Sequence, residues 1–326
     1  AKSMGLGTIG FGQLFSRSRP DLLMLMGDRF EIHCAAVAAL PFNIPIAHIH
    51  GGESTEGLID EGIRHSLTKL SHLHFTSTEV YADRVRRMGE EDWRVWTVGA
   101  PGLDNILDIE RMTREETGTH FGYDPTRPVV LVTFHPITLD FENTSIYTDQ
   151  LLDALARADA QILFTYPNAD TAGRMIIEKV NAFSKEVERA SVVVNASQRG
   201  YISLLSCVDT MVGNSSSGII EAASFELPVV NIGSRQKGRI HGRNVVDCGH
   251  GVAEILSALE TCLDSSFRET LKGMKNPYGD GSNGGGGGHE TTFEAQCAST
   301  KKDQEDTAVN RKKWNTACNR VNNRVG

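Results

Sequence analysis

Short apolar runs alternate along most of this chain with segments whose apolar positions recur at helical spacing. Residues 21–26 (DLLMLM), 44–49 (IPIAHI), 72–76 (HLHFT) and 95–98 (VWTV) read as strands, with helical patterns through 35–40, over 59–70 and around 81–88. Strands that are apolar on both faces and separated by helix-length segments predict a parallel sheet covered on both sides. A polar stretch with helix and turn signals follows at 109–127, and a second series begins beyond it: 129–134, 162–166, 192–195, 211–213 and 229–232. The pattern predicts an α/β protein of two Rossmann-like, doubly wound domains, residues 1–108 and 109–281, with ligands at the carboxyl ends of the strands. The two ends of the chain depart from it. Residues 1–18 read as a polar, Gly-rich helical stretch, and from residue 281 the chain runs GSNGGGGGHE into a polar segment without an apolar face. Residues 282–326 are expected to form a disordered, dispensable tail.

Polar residues gather just after the expected strand ends. Gly27-Asp28-Arg29 follows the first strand, and His48-Ile49-His50-Gly51-Gly52-Glu53 ends the second. The next helix opens with Asp60-Glu61 and carries Arg64 and His65, so Asp60 shares a face with Arg64, and Glu61 with His65. In the second series His135 follows the first strand, and Asn214-Ser215-Ser216-Ser217-Gly218 leads from a strand into a helix bearing Glu221. Hydroxyls and free amides at a helix start suit a phosphate. Each feature also has a simpler structural reading. Asp28 would cap the following helix, Asp60 and Arg64 would form a solvated surface pair, and His48, His72 and His74 would be internal histidines with satisfied hydrogen bonds. Taken singly, none of these features decides.

Composition narrows the field. A net charge of −8 excludes a broadly basic surface, so no nucleic-acid partner is expected. No apolar run reaches the length that crosses a bilayer, so no membrane association is expected. The cysteines at 34, 207, 248, 262, 297 and 318 form no CxxC pair, no HExxH occurs, and no GxGxxG follows a strand. Neither a metal nor a dinucleotide cofactor is therefore expected. The first twelve residues lack the basic start and apolar core of a signal peptide, which makes a cytoplasmic protein with reduced thiols the expectation.

Read together, GDRFE, IPIAHIHGGESTEGLIDEGIRHSLTKLSHLHFTST, VGAPGLDNI, VTFHP and VGNSSSGIIEAASFELPVVNIGSRQKGR resemble the hydrolysing UDP-N-acetylglucosamine 2-epimerases in order and spacing, over about residues 5–281. The branch resembled is that of sialic and related nonulosonic acid synthesis. The resemblance implies the GT-B-like pairing of two Rossmann domains and a UDP-sugar ligand, with a homodimer as the expected assembly. It also implies a reaction in which UDP leaves by anti elimination to give a 2-acetamidoglucal, and water then adds with inversion at C2 to give N-acetylmannosamine. By motif, Asp28 and Asp60 match acidic residues placed at the sugar, and His135 matches a histidine near the sugar and phosphates. Ser215 and Ser216 match the phosphate turn and Glu221 the carboxylate on the ribose, with Arg64 and Arg235 as partners for phosphate or carboxylate. Many relatives carry a catalytic glutamate where this chain has His50. Either His50, since a histidine can act as an acid or a base near neutral pH, or Glu53 three residues on would then take its role.

The substrate is either UDP-N-acetylglucosamine or a UDP-2,4-diacetamido-2,4,6-trideoxyhexose. A GT-B glycosyltransferase and a non-catalytic nucleotide-sugar binder are the competing classes. Relatives open with a strand and a GTRAD-like turn that this sequence does not show. The amino-terminal domain is therefore expected to lack its opening strands, and the chain is expected to have little activity alone.

Overall fold

The computed structural model describes residues 1–54, 60–104, 106, 109–137, 140–167 and 173–281. The expected tail at 282–326 lies outside the described residues. The described chain divides into two compact units, one formed by Ala1–Glu53 and Asp60–Asp104 and the other running through residues 106–280.

In the first unit, helix α1 (Lys2–Arg17) precedes β1 (Leu23–Met26), α2 (Phe30–Ala39), β2 (Ile46–Ile49), α3 (Asp60–Leu70), β3 (Leu73–Thr76), α4 (Glu79–Arg87) and β4 (Val95–Thr97). The four strands are parallel in the order β1-β2-β3-β4. Alternate residues of each strand serve opposite faces, as the pleat requires. Leu25 and Ile46 pack with Phe15 of α1 and the small residues Ala35, Ala36 and Ala39 of α2, whereas Ala47, Leu73 and Phe75 form a separate cluster with Trp96 against them. The alanines let α2 sit close to both α1 and the sheet. β1 is an edge of the described sheet, and its Met24 and Met26 are exposed.

The second unit holds α5 (Arg114–Phe121), β5 (Val129–Thr133), α6 (Thr144–Arg157), β6 (Gln161–Thr165), α7 (Gly173–Glu186), β7 (Ala190–Val193), α8 (Ser197–Cys207), β8 (Thr210–Gly213), α9 (Ser216–Ile220), β9 (Val229–Ile232), β10 (Val245–Cys248), α10 (Val252–Leu263) and α11 (Ser265–Leu271). Its six parallel strands run β10-β9-β8-β5-β6-β7. Numbered within the unit, that order is 6-5-4-1-2-3, the doubly wound arrangement whose strand order reverses between its first and fourth strands, here β5 and β8. Val130, Val132, Ile162 and Phe164 point to one apolar layer, and Val129, Leu131 and Leu163 to the other. Both layers are covered by helices, which is why these strands read as unbroken apolar runs.

The structure adds detail at two places in the second unit. The polar stretch at 109–127 contributes α5, closed at its start by a Thr113–Glu116 capping box and at its end by Gly122 in the left-handed region, and Arg114 pairs there with Asp209. The segment is thus built into the second unit. The strand β10 went unrecognised because its residues are only half-buried and interrupted by Asp247.

The ends of β5 and β8 come together closely. Gly213, at φ +139, ends β8 where an added Cβ would stand 1.9 Å from the Thr133 carbonyl oxygen. Gly213→Ala is therefore expected to lower stability by about 3 kcal/mol or more, because neither the backbone angle nor the space admits a methyl group. Chemical denaturation compared with Gly238→Ala, a glycine of positive φ in a more exposed turn, measures the difference.

Candidate active site

In the first unit the polar groups lie just beyond the carboxyl ends of β1 and β2. Gly27, at φ +88, turns the chain out of β1 and presents Asp28, whose carboxylate accepts a hydrogen bond from the Arg64 guanidinium. Two simpler readings are corrected here. Arg64 is only 1% exposed, so it is an internal cation and not half of a solvated surface pair. Asp28 does not cap α2, whose N-cap is Arg29 without a side-chain cap. A buried guanidinium needs a counter-charge, and Asp28 supplies it. Asp60 stands half-exposed as the first residue of α3, and Glu61 pairs with His65 at 3.6 Å, as their spacing anticipated.

His50 leaves β2 at φ +65, in the left-handed region that a non-glycine residue adopts only at a cost. Its Nδ1 lies 2.7 Å from the Glu53 carboxylate, which also accepts from the Ser77 hydroxyl at 2.9 Å. Gly52, at φ +78, lets the chain return past the Tyr81 carbonyl, 2.4 Å from where a Cβ would be, and Arg84 donates to the Gly52 carbonyl. His48 donates from Nε2 to the Gly27 carbonyl at 2.8 Å, and its register partner His74 meets Glu90 at 3.2 Å. The amide of Ile46 donates to Nδ1 of His72. These three histidines are bonded within the fold.

In the second unit a cavity of about 570 Å³ opens at the ends of β5, β6, β7 and β8, lined by residues that include His135, Thr165, Asn195, Gln198, Tyr201 and Ser215. It lies at the topological switch point, where such sheets bind ligands. The Asn214 side chain spans that point. Its Oδ1 accepts from the His135 amide at 2.7 Å, and its Nδ2 donates to the His135 carbonyl at 2.9 Å. Burial, with the Arg235 cation adding to it, pushes the His135 imidazole down to about 3, so it is uncharged at neutral pH.

Ser215 caps α9 by accepting from the Ser217 amide, and the Ser217 hydroxyl in turn accepts from Tyr201 at 2.8 Å. Ser216 is the first residue of α9 and Glu221 follows its last. Burial raises the Glu221 carboxyl above the usual range, against the effect of the Ser217 hydroxyl. Arg235 donates to the Asn214 carbonyl at 2.9 Å. Of the residues expected from sequence in this unit, His135 and Ser215 line the cavity, whereas Ser216, Glu221 and Arg235 are not among its lining residues. Asn214, Ser77 and Tyr201 escaped the sequence reading as site residues. Their signal was weak: a lone Asn, Ser or Tyr beside a strand or helix end looks like a cap or a core residue. Among the described residues, no cluster of three or more His, Cys, Asp or Glu is placed to hold a metal ion, and no helix is long and apolar enough to cross a membrane.

The family described as UDP-N-acetylglucosamine 2-epimerase matches residues 1–285. The chain is 39% identical over 281 residues to the UDP-N,N'-diacetylbacillosamine 2-epimerase (hydrolyzing) of Legionella pneumophila, covering 86% of this chain and 73% of that one. It is 37% identical to the polysialic acid biosynthesis protein P7 of Escherichia coli, covering 85% and 71%. In fold it is similar to the crystal structure of UDP-GlcNAc 2-epimerase from Neisseria meningitidis bound to UDP-GlcNAc, with a TM-score of 0.74 at 17% identity, over 92% of this chain and 80% of that one.

Three buried histidines set a pH dependence of stability. Burial is the main cause of depression in each, and it pushes His48 and His74 down to about 4 and His135 to about 3. The unfolded chain takes up these protons near pH 6.5 and the folded chain does not, so stability is complete above that pH and is lost as pH falls towards 4. At pH 5 the loss is about 2 kcal/mol for each histidine. Thermal unfolding between pH 7 and pH 5 is expected to show Tm falling with pH, and a flat profile would contradict the assignment.

Proposed function

The chain belongs to the UDP-N-acetylglucosamine 2-epimerase family, and from that premise we propose that it performs a hydrolysing 2-epimerisation. A UDP-sugar bearing a 2-acetamido group, together with water, becomes free UDP and the 2-epimeric sugar. The observation that carries this reading is the 39% identity, over 86% of the chain, to a relative named as a hydrolyzing 2-epimerase. The geometry supports it. The second unit has a cavity at its switch point, with an uncharged His135 and the Ser215 turn in its lining, and is assigned the nucleotide. Ser216 and Arg235 are assigned to the diphosphate, and Glu221 to the ribose hydroxyls.

The first unit is assigned the acid–base chemistry, through His50 with Glu53, Asp28 and Asp60. The C2 proton is only weakly acidic, so its removal and the departure of UDP have to be assisted together. Arg64 fixes the Asp28 carboxylate in place, which suits it to orient a hydroxyl of the sugar. UDP-N-acetylglucosamine, giving N-acetylmannosamine, is the first substrate to test. The name of the L. pneumophila relative favours a second, UDP-N,N'-diacetylbacillosamine.

Incubation of the chain, beside a version with a relative's opening strands restored at its amino terminus, with each UDP-sugar in deuterated water tests the reaction. The expected outcome is released UDP and a 2-epimeric sugar with deuterium at C2. Product without solvent deuterium would exclude elimination, and N-acetylglucosamine released with its configuration retained would mark a simple hydrolase. Asp60→Asn is expected to lower kcat about 100-fold or more with UDP affinity within about threefold. Glu221→Ala is expected to weaken UDP binding about tenfold or more, because a ribose hydroxyl bonded to a charged group contributes about 1.5 kcal/mol or more. Calorimetric titration with UDP separates the two, and the reverse pattern would overturn the assignment of the units.

A further inference from the structure

His50, Glu53 and Ser77 form a connected chain that the sequence presents only as two competing candidates and an unremarked serine. We propose that His50 is the proton-transferring group, through Nε2, and that Glu53 and Ser77 are positioning residues that hold its ring. The inference rests on the reading of the chain as a 2-epimerase for its reaction, but its geometry stands on the structure alone.

The three groups differ in access and in what they already bond. The Glu53 side chain is 2% exposed, and one of its oxygens takes both the His50 ring and the Ser77 hydroxyl. A carboxylate so enclosed cannot reach a sugar carbon without breaking both bonds. The His50 side chain is 17% exposed. With Nδ1 on Glu53, its Nε2 makes no hydrogen bond among the described residues. Against an ionised carboxylate, which only accepts, a neutral His50 ring carries its proton on Nδ1 and keeps the lone pair of Nε2. That is the tautomer a general base requires, and a carboxylate orienting a histidine selects it in the same way in hydrolytic triads.

The backbone adds an independent mark. The His50 amide continues the sheet pairing by donating to the Phe75 carbonyl at 3.0 Å. The chain then takes φ +65 at His50 itself, which turns the ring back onto Glu53. A non-glycine residue is held in the left-handed region only at a cost, and such positions cluster at functional sites. Asp28 is the weaker competitor for the role, because its carboxylate is already bonded to the buried Arg64 guanidinium.

In the elimination, Nε2 takes the proton from C2 of the sugar. The electron pair of that C–H bond becomes the second bond between C1 and C2. The C1–O bond breaks and its pair leaves with UDP. The imidazolium then returns its proton to solvent, and water supplies hydroxide to C1 and a proton to C2 in the hydration.

Two measurements test the proposal in the full chain. The first needs no turnover: the ring nitrogen resonances of His50 in ¹⁵N-labelled wild type are expected to show the Nδ1–H tautomer, and an Nε2–H tautomer would overturn the assignment. The second uses His50→Gly, which suits φ +65 and is expected to fold at least as well as wild type. Its kcat is expected to fall about 100-fold or more with KM within about threefold, and added imidazole is expected to recover about tenfold of the loss. A variant within about threefold of wild type, or a loss that imidazole does not relieve, would overturn the role. Glu53→Gln keeps an acceptor but removes the charge, and is expected to lower kcat about tenfold without weakening UDP binding. A chain with the Nδ1–H tautomer that releases UDP from neither UDP-sugar, both as it stands and with a relative's opening strands restored at its amino terminus, would overturn the epimerase reading and leave the ring geometry upheld.

Discussion

The second unit depends on how β5 and β8 are held where their helices leave the sheet. Beyond Thr133 and Gly213 the ladder between the two strands ends, and a bare switch point would leave backbone polar groups unpaired in a dry interior. Asn214 solves this with one side chain. Its amide has a donor and an acceptor in the geometry of a peptide group, and both engage the His135 backbone. Its own carbonyl accepts from Arg235 and Gln236, so the turn after β9 is tied to the same residue. The position of His135, its burial and hence its uncharged state all follow from that clamp. The glycine before it is required because the strands approach so closely that no Cβ fits.

The first unit meets the same problem with charge. Arg64 is fully buried and bonded to Asp28, and His48 pins the Gly27 carbonyl. Burying an ion pair adds little net stability, because desolvation offsets most of the attraction. What it adds is orientation: neither partner can turn away without leaving an uncompensated charge. Glu53 is used similarly, with its negative charge enclosed and spent on the ring of His50 and the hydroxyl of Ser77. Loops at strand ends are thereby held by polar bonds in places where apolar packing gives no direction.

How far this organisation was legible from sequence varied with the range of the interaction. The strands of both sheets announced themselves as apolar runs, and the helix of Asp60 and Arg64 as an amphipathic segment. The one unrecognised strand, Val245–Cys248, has half-buried and exposed residues and so lacks the apolar signature. Motif spacing pointed to Asp28, His50, Glu53, Asp60, His135, Ser215 and Glu221, because each sits next to a strand or helix end whose position the pattern reveals. Local rules failed where a partner lay far along the chain. Arg64 bonds Asp28, thirty-six residues away, a partner that its spacing from Asp60 does not reveal. Nothing in the sequence singles out Ser77, whose hydroxyl reaches Glu53 across twenty-four residues.

By itself the sequence determined the α/β class, the two series of strands and the family, since periodicity and chained motifs are properties of neighbouring residues. Tertiary structure alone decided which of the polar groups near strand ends are spent on the fold and which stay open to a ligand. That choice depends on burial and on contacts between distant segments. Glu53 is enclosed while His50 keeps a ring nitrogen without a bond among the described residues, although the two are three residues apart and equally polar in the sequence. His48 and His135 likewise both lie at or just after the end of an apolar run. Their strand ends place one on the Gly27 carbonyl and the other in the lining of the switch-point cavity. The physical reason is that a parallel sheet assembles its carboxyl edge from turns far apart in sequence, so the environment of each side chain there exists only once the strands are laid side by side.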